Sequence, residues 1–120
     1  MNKYFTRVIL LISTIIISAK AYAYDFMVDS MYFNIESIDE MTCAITYGDK
    51  EYTGELVIPE KVTYKGRTLT VTTIESEAFS GCSGLTSINI PNSVTTIGLN
   101  ICNSCRELII GNGIKNFPIP

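Results

Sequence analysis

The chain has 120 residues, with nine lysines and arginines, twelve aspartates and glutamates, four cysteines and no histidine. The lack of histidine excludes a Ser-His or Cys-His catalytic arrangement and removes the commonest general base. The acidic balance argues against nucleic acid or an anionic membrane surface as a partner.

The first 23 residues have the pattern of a secretory signal peptide. Lys3 and Arg7 precede an uncharged apolar run, Val8 to Ser18, and a small-x-small sequence follows at Ala21–Ala23. The run is shorter than the roughly 20 apolar residues that cross a bilayer, so we expect no stable membrane span after cleavage. Cleavage is expected before Tyr24, or alternatively after Ala21. It would export one small domain, with a net charge of about −6, to the periplasm, the cell surface or the medium.

Residues 24–53 show the two-residue alternation of a β-hairpin. Met31 to Ile35 would form one strand, and the odd-numbered residues from Met41 to Tyr47 would lie on one face of the next. This segment does not share the repeat that follows it. We predict that it caps the N-terminal end of a stacked structure, which would otherwise expose apolar surface and strand edges.

A 23-residue repeat organises the rest of the chain. Residues 71–93, VTTIESEAFSGCSGLTSINIPNS, begin again at Val94 as VTTIGLNICNSCRELIIGNG. Self-similarity at this period is typical of stacked-repeat folds, in which each unit covers the apolar face of its neighbour. The positions expected to fill the core are Ile74, Phe79, Cys82, Leu85, Ile88, Ile90, Ile97, Cys105, Leu108 and Ile110.

Each part of the unit has a local cause. A β-branched strand at 71–74 leads into residues 75–80, which suit a short helical turn with acidic residues at its start and Gly81 at its close. A second strand is expected over 85–90, with alternate residues buried. Pro91 ends that strand because it has no backbone donor.

An incomplete unit precedes the full copies. Residues 56–62 match residues 88–94 at an offset of 32 residues, nine more than the repeat period. The difference is an insertion at 63–71, which predicts a hairpin that turns at Lys65 and Gly66. Gly66 can take the positive φ that such a turn requires.

The strings VTTIESEAFSGCSGLTSINIPNSVTTIG and GELVIPEKVTYKGRTLTVTTI resemble the leucine-rich repeats of the BspA-like class, found in exported bacterial surface proteins. The likeness covers about residues 54–114 and includes A-F-x-G-C-x-x-L followed by I-x-I-P-x-S-V-T-x-I-G. It implies a β-rich leucine-rich-repeat solenoid over residues 54–120, about two and a half units of short strands and short helical turns behind the N-terminal β-hairpin cap. It also implies a surface-exposed protein that binds other proteins.

The cysteines are the sharpest candidates for chemistry. Cys102 and Cys105 form a C-x-x-C sequence, which can make a disulfide or a redox pair. Because Cys82 and Cys105 recur at the repeat period, structural thiols or a structural disulfide are favoured, and a Cys82–Cys105 bridge is a further alternative. Cys43 would stay unpaired. One C-x-x-C without histidine does not predict a zinc site, and the βαβ context of a redox enzyme is missing, so we expect no enzyme activity, metal or cofactor.

The outward face of the strand ladder is the candidate binding surface. Its positions fall into two outward columns, Val57, Asn89 and Ile109 in the first and Glu55, Ser87 and Glu107 in the second. Solenoids present continuous surfaces of this kind to partners, and two apolar members of the first column favour binding. The alternative is an ordinary sheet face without a ligand.

Three functions fit the sequence. The favoured one is an exported module that binds a protein or a surface glycan and serves in adhesion at the bacterial surface. The second is a structural remnant or fragment of a longer repeat adhesin without a separate activity. The third is a small exported thiol-disulfide protein that uses Cys102 and Cys105.

Overall fold

The computed structural model describes residues 24–98 and 107–114, and within these ranges every regular element is a β-strand. The strands are β1 Phe26–Val28, β2 Met31–Ser37, β3 Thr42–Thr46, β4 Gly54–Val57, β5 Lys61–Tyr64, β6 Arg67–Ile74, β7 Leu85–Ile90, β8 Thr96–Ile97 and β9 Glu107–Ile110. They lie in two sheets. The first sheet has the order β1-β2-β3-β6-β5, with β8 also paired to β6, and the second has the order β4-β7-β9.

The chain passes alternately through the two sheets. A strand of the first sheet is followed by one of the second in the pairs β3 and β4, β6 and β7, and β8 and β9. β3, β6 and β8 pair in parallel, and so do β4, β7 and β9. The described residues therefore wind through three successive coils, which is the stacking that the repeat period predicts.

The strand register follows the repeat. Leu56 lies opposite Ile88, and Ile88 lies opposite Leu108. In the first sheet Ile74 lies opposite Ile97. These pairs have the predicted offsets, so the match between the incomplete unit and the full copies is confirmed at the level of individual residues.

The core lies between the two sheets and contains most of the predicted positions. Ile74, Phe79, Cys82, Leu85, Ile88, Ile90 and Ile97 are buried. Leu108 is half-buried, and the prediction for Ile110 is wrong, because 38% of its surface is exposed. β9 is the outer strand of the second sheet among the described residues, so its side chains are covered from one side only. Cys105 lies outside the described residues.

The connection from β6 to β7 is a succession of tight turns. The Ala78 N–H donates to the Glu75 carbonyl oxygen and the Cys82 N–H to that of Phe79, both at 3.1 Å. Glu77 has a φ of 62°, in the left-handed region that interrupts a right-handed helix. The short helical turn predicted over 75–80 is therefore not confirmed.

The N-terminal segment is continuous with the first sheet. β1, β2 and β3 form an antiparallel run, and β3 then pairs in parallel with β6, with Ile45 opposite Ile74. Strand pairing thus crosses the predicted boundary at residue 53. β3 is an interior strand, so Cys43 to Thr46 are all buried, and the expected alternation between a buried and an open face does not hold there.

The insertion forms the predicted hairpin. β5 and β6 pair antiparallel, with Tyr64 opposite Arg67 across a two-residue turn. Lys65 and Gly66 both have positive φ, 51° and 77°, as a type I′ turn requires. The ring of Tyr64 stacks on that of Phe26, with centroids 4.5 Å apart, so the two ends of the first sheet meet.

Candidate functional site

Both outward columns are present in the second sheet. Val57 lies opposite Asn89, which lies opposite Ile109. Glu55 lies opposite Ser87, which lies opposite Glu107. The residues between them, Leu56, Ile88 and Leu108, point inward, because side chains of an extended strand alternate between the two faces of a sheet.

The first column is an exposed apolar stripe with a polar centre. Val57 is 64% exposed and Ile109 is 48% exposed, while Asn89 between them is half-buried. Exposed β-branched side chains two strands apart on one rigid sheet offer apolar area at little cost in ordering. This stripe can therefore contribute to a contact that excludes water.

The second column is acidic at both ends. Glu55 and Glu107 are exposed and Ser87 is half-buried. Within the described residues, the structure shows no hydrogen bond or ion pair of the side chains of Glu55, Asn89 or Glu107. These carboxylates and the amide are available to donors of a partner, so the face as a whole suits an apolar contact bordered by basic or hydroxyl groups.

The outward polar groups of the first sheet are paired with one another. The Glu36 carboxylate accepts hydrogen bonds from the hydroxyls of Thr72 and Thr73, at 2.6 and 3.0 Å. The Asn34 amide donates to the Glu75 carboxylate at 3.1 Å. A partner would have to break these bonds to use the same groups, so the first sheet is the weaker candidate for a binding surface.

A cavity that the sequence did not indicate lies between the loop after β3 and the turns after β6. Its volume is about 530 Å³, and its lining includes Tyr52, Asp49, Glu77 and Cys82. No signal in the sequence joins these segments, because they are distant in the chain and only the second belongs to the repeat. In the described part of the chain, no three His, Cys, Asp or Glu side chains are placed to hold a metal ion.

Tyr52 fixes one wall of that cavity. Its hydroxyl donates to the Thr46 carbonyl oxygen at 2.6 Å and accepts from the Tyr32 N–H at 3.0 Å. Its ring meets that of Phe79 edge-on, with centroids 5.2 Å apart. Burial raises the pKa of Tyr52 well above its usual range, so the phenol stays protonated and holds both hydrogen bonds at physiological pH.

The two described cysteines are buried thiols. Cys43 is fully buried, and burial, followed by the nearby charge of Glu36, raises its pKa to about 12. Burial also raises the pKa of Cys82. The thiolate is the reactive form, so neither residue has the properties of a nucleophile near neutral pH. Cys102 and Cys105, and with them any bridge to Cys82, lie outside the described residues.

We expect Cys43 to resist thiol reagents at pH 8 in the folded protein and to react when urea unfolds the chain. The parent and a Cys43→Ala variant should then give equal thiol counts when folded. In urea the parent should give one additional equivalent, since unfolding removes the burial. An excess of reactive thiol in the folded parent would show that Cys43 is accessible.

The same burial makes stability depend on alkaline pH. The folded state holds the thiol proton up to a pKa of about 12, whereas the unfolded state releases it near 9.0. The stabilisation is present below pH 9.0 and is lost as pH rises toward 12. Between these values the free energy of unfolding of the parent should fall more steeply than that of Cys43→Ala, as measured by urea titration at each pH.

The comparisons with known proteins decide the family. A family model described as a BspA type leucine rich repeat region of six copies matches residues 60–118. The chain belongs to this family. Its BspA-type repeats begin within the incomplete unit and include both copies of the 23-residue period.

Solved leucine-rich repeat proteins share the fold. One from Bacteroides ovatus is 31% identical with a TM-score of 0.67, and the match covers 77% of this chain and 25% of that one. One from Bacteroides capillosus is 28% identical with a TM-score of 0.62, covering 74% and 67%. A leucine rich cell surface protein from Faecalibacterium prausnitzii is 28% identical with a TM-score of 0.59, covering 73% and 24%.

The chain thus spans about a quarter of the first and third of these structures and about two thirds of the second. No curated protein matches it at a significant level. In the residues that the structure describes, no helix has the length and apolar character needed to cross a membrane. The signal peptide predicted over residues 1–23 lies outside them.

Proposed function

We propose that the chain is an exported BspA-type repeat module that binds a protein or a surface glycan at the bacterial surface. The binding surface is the outward face of the second sheet. The observation that carries this proposal is the exposed pair Val57 and Ile109, aligned across three parallel strands with Asn89 between them. The signal-like leader and the similarity to a protein described as a cell surface protein support export.

The energetics fit a binding surface of moderate strength. Complete burial of one large aliphatic side chain contributes about 1.5–3 kcal/mol, and interface energy is concentrated in a few such residues. Val57 and Ile109 are partly covered already, so the pair contributes about 3 kcal/mol when a partner covers it. Glu55 and Glu107 on the neighbouring column then select partners with basic groups and reject acidic ones.

The test compares the chain from Tyr24 onward with a Val57→Asp, Ile109→Asp double variant on an array of purified proteins and glycans. A ligand that the parent binds should bind the variant about a hundredfold more weakly, because two carboxylates replace the apolar contact. A Met27→Asp, Ile38→Asp variant is the matched control, since both residues are about half exposed but lie outside the second sheet. Equal binding by the parent and the first variant would remove this face from consideration.

The small share of its relatives that the chain covers favours a second candidate function. In it, the described coils form part of a longer adhesin in which further repeats extend the same face. Sequencing the reading frame beyond Pro120 tests this candidate. Further in-frame repeats would favour it over the independent module, and a stop codon directly after Pro120 would contradict it.

A further inference from the structure

The second sheet has an edge that no described strand covers. β4 pairs with β7 on one side and with no strand on the other. In the first sheet the equivalent edge, that of β3, is covered by β2 and β1. The N-terminal strands therefore protect one sheet of the solenoid and leave the uncovered side of β4, which we call the open edge, in the other.

Two backbone groups point into solvent at the open edge. The N–H groups of Gly54 and Ile58 donate toward the β7 side, to the Gly84 and Asn89 carbonyl oxygens, with N···O distances of 2.8 and 3.0 Å. Successive peptide groups of a strand point to opposite edges, so those of Glu55 and Val57 face away from β7. An unpaired row of this kind is a template for another strand.

The side chains along the open edge are also incompletely covered. Leu56 points inward but is half-buried, although its neighbour Ile88 on the interior strand is fully buried. Glu55 and Val57 point outward and are exposed. β4 carries none of the usual protections of an edge, since it contains no lysine or proline.

We propose that β4 is a strand-addition site for an extended segment of a partner protein in which basic and β-branched residues alternate. This rests on the proposed binding function and names its mode. The partner strand continues the second sheet and hydrogen-bonds to the backbone of Glu55 and Val57. Its β-branched residues point inward and cover Leu56. Its basic residues point outward, beside the Glu55 carboxylate, and their aliphatic stems cover Val57.

A second copy of the chain fits this edge less well. If β9 of another copy continued the outward columns, its Glu107 would lie beside Glu55. Like charges directly opposite each other destabilise a strand pair. The mature chain is acidic overall, which further opposes self-association and favours a basic strand.

The first experiment uses a fluorescent peptide of four Lys-Val repeats, measured by anisotropy with the chain from Tyr24 onward. We expect saturable binding, and at least tenfold weaker binding of four Glu-Val repeats. Two N-methylated forms, one methylated on the lysine backbone nitrogens and one on those of valine, keep the charge. Only one set of N–H groups can face β4, so one form should lose at least about tenfold in affinity while the other does not. Equal behaviour of the two forms overturns the proposal.

The second experiment changes the protein. Val57→Pro removes an edge N–H, and proline is tolerated at an edge strand whose N–H faces solvent. Binding of the Lys-Val peptide should fall at least about tenfold, while Val57→Thr, which keeps the N–H, should bind like the parent. Glu55→Lys gives an independent readout: preference should shift from the Lys-Val to the Glu-Val peptide. Peptide binding that ignores both Val57→Pro and Glu55→Lys overturns the proposal.

These variants separate the open edge from the outward face. Ile109→Asp lies two strands from β4 and leaves its backbone intact. If array ligands are lost with Ile109→Asp but retained with Val57→Pro, the proposed function stands and strand addition falls. If Val57→Pro alone removes them, the edge carries the binding. A concentration-dependent dimer of the parent that Val57→Pro abolishes would identify a second copy as the occupant and overturn the choice of a foreign basic strand.

Discussion

A chain that starts at Glu55 should show no cooperative thermal unfolding, whereas the chain from Tyr24 onward should melt in one transition. The shortened chain lacks β3, which pairs along β6 and buries Cys43 and Ile45 completely in the core. It also lacks Tyr52, whose ring packs on Phe79. Each large buried side chain contributes about 1.5–3 kcal/mol, and the whole stability of a domain is about 5–15 kcal/mol.

The measurement is circular dichroism against temperature for chains that start at Tyr24, Met41 and Glu55. The chain from Met41 keeps β3 but loses β1 and β2, so it separates the first parallel rung from the antiparallel strands outside it. We expect a lowered but cooperative transition for this intermediate chain. A Glu55 chain that melts as cooperatively as the chain from Tyr24, and at the same temperature, would show that the repeats fold without the N-terminal strands.

The repeat register could be read from the sequence because it depends on chain length alone. Leu56, Ile88 and Leu108 lie opposite one another at the offsets that the sequence dictates. Alternation along each strand then fixes which residues face outward, so both outward columns were predictable as well. Their exposure was not, because it depends on which strand ends the sheet: Ile88 is fully buried, while Leu56 and Leu108 on the flanking strands are half-buried.

The role of the N-terminal segment could not be read in the same way. β3 carries no copy of the repeat consensus, so its parallel pairing with β6 is a non-local contact without a periodic signal. The turn at Glu77 is similar. Acidic residues before Gly81 favour the start of a helix locally, but the packing of the coil places Glu77 at a positive φ and ends any helix. Tertiary contacts decided both cases, and the open edge of β4 is a further consequence of the same asymmetric capping.

Phe79→Ala should cost about 3–5 kcal/mol of the free energy of unfolding. The Phe79 side chain is fully enclosed, and its ring meets the edge of the Tyr52 ring at a centroid distance of 5.2 Å. This contact joins the loop after β3 to the turns after β6, so truncation leaves a void where two successive coils pack together. The structure around a void relaxes only in part, which adds to the lost transfer free energy.

Urea denaturation of the parent, Phe79→Ala and Met27→Ala gives the comparison. Met27 is 52% exposed on the edge strand β1, so its truncation should change stability by about 0.5 kcal/mol or less. Phe79→Leu keeps most of the volume and loses the ring contact, and its cost should therefore fall between the other two. If Phe79→Ala were no more destabilising than Met27→Ala, the packing of the loop after β3 on the first full repeat would not hold the coils together. The first rung would then have to owe its position to the β3–β6 backbone ladder alone.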